Sequence, residues 1–363
     1  LVVQADAPDG WWQALPTLKK LEHINWSGGT INDNLLSSMA QLPKFRSLLL
    51  QGSTQLAEDF PQGLVKLTNL ENLVLGHQEA ACDVADIYAA LPKLKRLKSW
   101  PALESPSGAT LRALSSVGGR TTVEMDGLGT DATQDDLLSV LSADSLTSIQ
   151  LRDVVLSPEI AAAICNNTQL EYLGLTVPEF DGLMFEGLDQ LSRLDHVSLS
   201  IGGEASNLRV LCELAGLEDL DLNCYSLMPR DLDFIADCPA LRSLEVTSGF
   251  SDDSTAQLVG KSSTLQRVSL LQDCYMTDAA IDLLCNNKNL ESLSISGLIS
   301  KQAALKLKDL PRLTWLTLWS DSMSDDDRES LKTELRQLTH ADFREFLPSS
   351  GKYVIGQDGI CRL

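Results

Sequence analysis

A short pattern of apolar and polar positions occurs fourteen times along the chain. A copy has an apolar residue, two others, a second apolar residue, one other and a third apolar residue, as in residues 290–295 (Leu-Glu-Ser-Leu-Ser-Ile); only Arg120 breaks the first position and only Ser99 the third. The second apolar position is filled in every copy; at 44% apolar residues, the chance odds are on the order of one in 100,000. Successive copies start 23 to 26 residues apart, at Leu21, Phe45, Leu70, Leu94, Arg120, Leu146, Leu170, Leu194, Leu217, Leu241, Leu265, Leu290, Leu313 and Leu338. A fixed period of this length predicts a solenoid.

A second register of apolar residues lies six positions before each copy, and only Lys332 breaks it. Within a copy the second and third apolar positions alternate, as in a half-buried strand. Upstream, spacings such as Leu35, Met39 and Leu42 match one face of a helix. Ser157 before Pro158, and Ser324 before a run of aspartates, are helix-start signals. Each repeat of about 24 residues is therefore predicted to run strand, loop, helix and turn, and stacked repeats would bury one continuous core.

The L-x-x-L-x-L motif resembles that of leucine-rich repeat proteins, over residues from about 1 to about 345. The resemblance implies an α/β fold: a right-handed leucine-rich-repeat solenoid, or horseshoe, with a parallel concave β-sheet and helices on the convex side. We expect this solenoid over residues 1–344, as a partial first repeat plus fourteen repeats, with a C-terminal cap or the start of a linker at 345–363. The asparagine or cysteine usual eight positions after the first leucine is missing, so the repeats look more like intracellular or bacterial ones.

The chain starts at a strand position, because residues 1–4 align with residues 48–51. We therefore expect that further repeats or another domain preceded residue 1, either in a longer protein or in the precursor of a processed product. A signal-peptide remnant is the weaker alternative.

The net charge of −21 argues against nucleic acid and anionic membranes as partners. It is compatible with a basic partner, although a solvated acidic surface is the simpler explanation. The sequence has no phosphate-binding glycine loop, no G-x-S-x-G motif and no H-E-x-x-H helix. We therefore expect a chain that is not an enzyme, that needs no cofactor and that is a monomer when isolated.

The eight cysteines include no C-x-x-C pair. Cys165, Cys212 and Cys285 each stand five residues before a copy of the pattern, which places them at one helix position as small core residues. This spacing favours free buried thiols and a reducing, cytoplasmic compartment. Secretion stays open as the alternative.

The candidate binding residues lie two, four or six positions after the first residue of a copy, where side chains point away from the core onto the concave sheet. Large or charged residues at these positions are Arg96, Lys98, Trp100, Tyr172, His196, Asp219, Asp221, Glu245, Trp315 and Trp319. Exposed tryptophans contribute strongly at interfaces, although they could instead fold over loop gaps or cap the sheet. Three carboxylates on a flat sheet are too few for calcium, so no metal is expected and a basic peptide or arginine side chain is favoured at Asp219, Asp221 and Glu245.

The sequence therefore predicts a non-enzymatic module that recognises a protein or peptide on its concave sheet. The resemblance leaves one alternative of another class, in which the repeats select substrates for a larger enzyme, such as a ligase or kinase, whose catalytic domain lies outside this chain. A purely structural spacer is the third possibility.

Overall fold

The computed structural model describes residues 1–4, 11–51, 54–75, 79–97, 103–115, 121–143, 145–248, 251–271, 275–345, 354–355 and 361–362. The chain divides into two compact units, Leu1–Leu173 and Gly174–Leu363. The strand Tyr172–Val177 contains the boundary between them.

The first unit consists of parallel repeat strands, each followed by a short helix. One sheet contains Val2–Gln4, His23–Ser27, Ser47–Gln51 and Asn72–Leu75 in that order; a second group contains Leu103–Glu104, Thr122–Asp126 and Ser148–Arg152. The short strands Thr30–Ile31, Gln55–Leu56 and Glu79–Ala80 pair in parallel with one another. The α-helices are Asp33–Met39, Phe60–Leu64, Val84–Ala90, Gly108–Ser115, Gln134–Leu141 and Pro158–Cys165, and the 3-10 helices are Trp11–Thr17 and Leu91–Lys93.

The second unit continues the same strand and helix order. Its parallel repeat strands are His196–Ile201, Asp219–Cys224, Ser243–Ser248, Arg267–Leu270, Ser292–Leu298, Trp315–Ser320 and His340–Arg344. Shorter strands are Phe180–Asp181, Ala205–Ser206, Met276–Thr277, Val354–Ile355 and Cys361–Arg362. The α-helices are Asp253–Lys261, Asp278–Leu284, Lys301–Ala304 and Asp325–Glu334; the 3-10 helices are Gly182–Met184, Leu188–Gln190, Leu208–Glu213, Pro229–Asp237 and Leu305–Asp309.

The predicted apolar ladder forms the core of each unit. The second position of the pattern is buried in every copy except at Leu97 and Ala341, which are partly exposed. The upstream register is buried as well: Leu15 in the first unit and Leu307 in the second are each at most 1% exposed. The predicted α/β fold, with a long parallel sheet and a helical layer, is confirmed. In the described parts of the chain, no helix has the length and hydrophobicity needed to cross a bilayer.

The helix-start signals are also confirmed. The Ser157 hydroxyl accepts a hydrogen bond from the Ile160 N–H at 3.3 Å, and Pro158 is the first helical residue. Ser324 and Asp327 form a reciprocal capping box at Asp325–Glu334. Between residues 180 and 237, however, 3-10 helices replace the α-helices that the pattern predicts. Gly187, with φ of +90°, lies between two of these 3-10 helices.

Two buried asparagines complete the turns between helix and strand. The Asn287 side chain donates to the carbonyls of Val259 and Leu265 at 3.3 and 3.1 Å. Asn167 donates in the same way to Leu141 and Ala163 at 2.9 and 2.8 Å. Both stand three positions before a copy of the pattern, where most other repeats have an apolar residue. They donate to backbone carbonyls at the ends of the neighbouring helices and strands, and so help to satisfy the hydrogen-bonding capacity of the buried main chain.

A disulfide joins Cys212 to Cys238, so the prediction of a free thiol at Cys212 is wrong. Cys212 stands five positions and Cys238 three positions before successive copies of the pattern; stacking brings their Cα atoms to 4.8 Å, within disulfide range. Cys165 and Cys285 are not disulfide-bonded; Cys165 is buried, and burial raises the pKa of the Cys285 thiol. A disulfide is typical of oxidising compartments, which removes the main support for a cytoplasmic location.

Candidate functional site

The outward side of the repeat strands in the second unit, here called the sheet face, presents side chains in straight rows. The strands pair residue by residue, so the same position of each repeat lies beside its neighbour. One row runs His196, Asp219, Ser243, Arg267, Ser292, Trp315 and His340. The next row runs Ser198, Asp221, Glu245, Ser269, Ser294, Thr317 and Asp342.

The acidic trio is Asp219, Asp221 and Glu245. Asp219 accepts a hydrogen bond from Arg267 at 2.8 Å, and Asp221 lies 3.1 Å from the Nε2 atom of His196. Glu245 lies directly opposite Asp221 in the register and has no hydrogen-bond or ion-pair partner among the residues that the structure describes. Partial burial, and to a lesser extent the Asp221 carboxylate, raise the pKa of Glu245. Sequence reasoning missed Arg267, although it stands at an outward position of its repeat.

Asp219 is already paired with Arg267, and within the described ranges no three His, Cys, Asp or Glu side chains are placed to hold a metal ion together. In the acidic trio, Asp219 is paired with Arg267, Asp221 lies beside the His196 ring, and Glu245 is exposed.

The aromatic patch lies farther along the sheet face and consists of Trp315, Trp319, His340 and Arg344. The Trp315 ring is stacked on the His340 ring, with centroids 3.6 Å apart and planes 16° from parallel, yet Trp315 stays 46% exposed. Trp319 is half-buried, and the Arg344 guanidinium lies 5.9 Å from its ring centroid. The patch therefore holds one covered tryptophan and one tryptophan that is fixed in place but open to solvent.

Small hydroxyl side chains separate the acidic trio from the aromatic patch. Ser269, Ser292 and Ser294 are partly exposed, while Ser296 is buried and donates to the Leu271 carbonyl at 2.7 Å. Ser269, Ser292 and Ser294, here called the serine strip, have short side chains, so the sheet face is recessed between the two groups of large side chains. Their hydroxyls can hydrogen-bond to polar atoms of a partner.

Four of the sequence-predicted residues, Arg96, Lys98, Trp100 and Tyr172, belong to the first unit. Arg96 is exposed in a turn, so its predicted place on a strand is wrong. The strand of that repeat is instead Leu103–Glu104. Leu103 pairs with Met125 and so takes the third apolar position, which the pattern assigns to Ser99. Lys98 and Trp100 lie outside the described residues. Tyr172 is partly exposed and belongs to the first unit, whereas His196 belongs to the second.

Replacing Glu245 with glutamine is expected to stabilise the protein slightly near neutral pH. The raised pKa means that the folded state binds this proton more tightly than the unfolded chain, so stability falls as pH rises from the ordinary glutamate value of 4.5 through the raised pKa. The gain should stay below about 1 kcal/mol, because the exposed carboxylate is screened by water, and should vanish below pH ~4, where Glu245 is protonated in both states. Urea denaturation at several pH values measures this difference.

The matched control is Glu179→Gln, at an exposed loop position of the same unit. It is expected to leave the free energy of unfolding unchanged across the same pH range. A loss of stability in Glu245→Gln at neutral pH would contradict the assigned environment of Glu245.

No protein-family model and no curated protein sequence matches the chain. Solved structures do match it, at low sequence identity. An internalin from Listeria monocytogenes is 18% identical with a TM-score of 0.54, and the alignment covers 92% of this chain and 88% of that one. A leucine-rich repeat protein from Leptospira interrogans is 16% identical with a TM-score of 0.51, covering 93% of this chain and 92% of that one. TLR13, solved in complex with ssRNA13, is 14% identical with a TM-score of 0.57, covering 96% of this chain and 59% of that one.

Proposed function

Since this chain has the leucine-rich repeat fold, we propose that it is a non-enzymatic module that binds a protein or peptide through the sheet face of its second unit. The observation that carries the proposal is Trp315, a large aromatic side chain that is held by His340 and still 46% exposed. Aromatic anchors of this kind dominate the binding energy of protein interfaces.

The stacking on His340 supports a role in binding. Burying about 200 Å² of indole surface under a partner is worth ~5 kcal/mol before ordering costs. A side chain that is already fixed loses little further conformational freedom on binding, so more of this energy remains as affinity. Trp319 fits the alternative of a covered aromatic, because Arg344 lies over its ring. Trp315 does not.

The charge of the sheet face favours a protein over nucleic acid. One of the similar structures is TLR13 in complex with ssRNA13. Here the sheet face has the carboxylates of Asp219, Asp221, Glu245 and Asp342, which repel phosphates. Arg267 and Arg344, in turn, are held in ion pairs with Asp219 and Asp342. The binding of nucleic acid depends mainly on neutralising phosphates with free cations.

The enzyme-linked alternative uses the same surface. If a longer protein has a catalytic domain, the sheet face would select that domain's substrate, and Trp315 and the acidic trio would keep their roles in binding. The full reading frame distinguishes the two versions of the proposal.

Replacing Trp315 with alanine is expected to weaken partner binding at least tenfold, because it removes the exposed anchor. The immobilised chain is incubated with native extract, and captured proteins are quantified by mass spectrometry in parallel for wild type and variant. The matched control is Tyr225→Ala, which removes an even more exposed aromatic (76%) from the loop after strand Asp219–Cys224. We expect capture to fall with Trp315→Ala and to persist with Tyr225→Ala. Equal capture by all three folded proteins would favour the structural spacer.

A further inference from the structure

The two groups of large side chains on the sheet face lie a fixed distance apart. From Glu245, the paired residues on the next three strands are Ser269, Ser294 and Thr317, and Thr317 is on the same strand as Trp315. These are three strand-to-strand steps of roughly 4.8 Å each, or about 14 Å in all. Trp315 stands two residues before Thr317, about 6–7 Å back along the strand, so the diagonal from Glu245 to Trp315 is about 16 Å. A segment that lies across the strands over the serine strip would therefore meet both groups.

The uncompensated charge on this face is negative and lies at one end of that path. Among the described side chains, Arg267 is paired with Asp219 and Arg344 with Asp342, which leaves neither guanidinium free of a carboxylate. Asp221 has His196 beside it, and Glu245 has no cationic partner. Two neighbouring carboxylates in this state match an ammonium or, better, a guanidinium that can bond to both.

The other end of the path, at Trp315, favours an apolar side chain of the partner. The free part of the Trp315 ring is an apolar surface that borders the serine strip, with Ser292 beside it in the register. An aromatic or large aliphatic side chain packs well against such a surface.

We propose that the partner segment is an extended peptide in which a lysine or arginine stands four residues from an aromatic or large aliphatic residue. The cation would sit at Asp221 and Glu245, and the apolar side chain would pack on Trp315. Four residues of extended chain span about 13–14 Å and return the side chain to the same face. This is about 2 Å less than the diagonal from Glu245 to Trp315, and the length of a lysine or arginine side chain covers the difference. This inference rests on the proposed function and specifies the chemistry of the partner.

A displayed library of random nonapeptides, selected on the full chain, tests the proposal. We expect enrichment of peptides with a basic and an aromatic or aliphatic residue four positions apart. Enriched acidic peptides, sequences without this spacing, or no enrichment at all would overturn the proposal.

A synthetic copy of the best selected peptide provides the second measurement, by calorimetric titration. Glu245→Gln is expected to weaken binding of this peptide about tenfold. It should have little effect on the same peptide with its basic residue replaced by glutamine, because the two groups act as a pair. Equal effects on both peptides would overturn the pairing. Glu245→Gln is nearly isosteric and at an exposed site, and circular dichroism verifies that it folds.

The two proposals fail in different ways. If Trp315→Ala abolishes peptide binding and Glu245→Gln leaves it unchanged, the sheet face still binds its partner but the assigned cation is wrong. If neither variant changes binding, the sheet face is not the binding surface and both proposals fail. Tyr225→Ala is again the control, expected to bind as the wild type does.

Discussion

Replacing Leu293 with alanine is expected to lower the free energy of unfolding by about 4 kcal/mol. Leu293 is fully buried at the second position of its repeat, between Val268 and Leu316 on the neighbouring strands. Truncation there removes apolar contacts and leaves a cavity that the stacked repeats on both sides cannot close. Urea denaturation followed by far-UV circular dichroism measures the change.

The control for this experiment is Ser294→Ala, one residue farther along the same strand but facing outward. It is expected to change the free energy of unfolding by less than about 0.5 kcal/mol. If Leu293→Ala cost no more than Ser294→Ala, the recurring apolar positions would not be the core of the second unit.

Removing the Cys212–Cys238 disulfide is expected to cost about 3.5 kcal/mol. The bond closes a loop with a sequence separation of 26 residues. Without this constraint the unfolded chain gains conformational entropy, which lowers its free energy by roughly 3.5 kcal/mol. The double variant with alanine at both positions should unfold at lower urea concentration than the wild type. Adding a reductant to the wild type should shift its midpoint in the same direction.

Two controls accompany the disulfide measurement. The double alanine variant should not respond to the reductant, and Cys285→Ser, at a free thiol, should keep the wild-type response. Mass spectrometry of protein that is denatured without reductant and then alkylated counts the thiols that are not in disulfides. Alkylation of Cys212 and Cys238 under non-reducing conditions, in protein purified without reductant, would show that the bond does not form.

The sequence predicted those parts of the fold that depend on one repeat alone. Leu293 and Leu316 could be assigned to the core because every repeat fills that slot, and Ser157 could be assigned as a cap because its signal is local. The disulfide was missed because it joins two different slots of neighbouring repeats, and only their stacking shows that Cys212 meets Cys238.

The candidate site was predicted only in outline, for the same reason. The outward positions of Asp219 and Trp315 followed from alternation along a strand. Their partners Arg267 and His340 depend on the register between strands, which repeats of unequal length do not reveal. Arg96 was misplaced because its repeat is longer than the pattern implies, so that its strand lies beyond Trp100 and Pro101, at Leu103–Glu104.

Hydroxyl-radical footprinting of the chain with and without its captured partner tests most directly whether the sheet face is the binding surface. Trp, His, Tyr and Met side chains are oxidised in proportion to their exposure, and mass spectrometry locates each product. Bound partner is expected to protect Trp315 and His340 while Tyr225 and Met228, exposed in the loop beyond the strands, react as before. Protection of Tyr225 and Met228 with Trp315 as reactive as in the free chain would contradict the account.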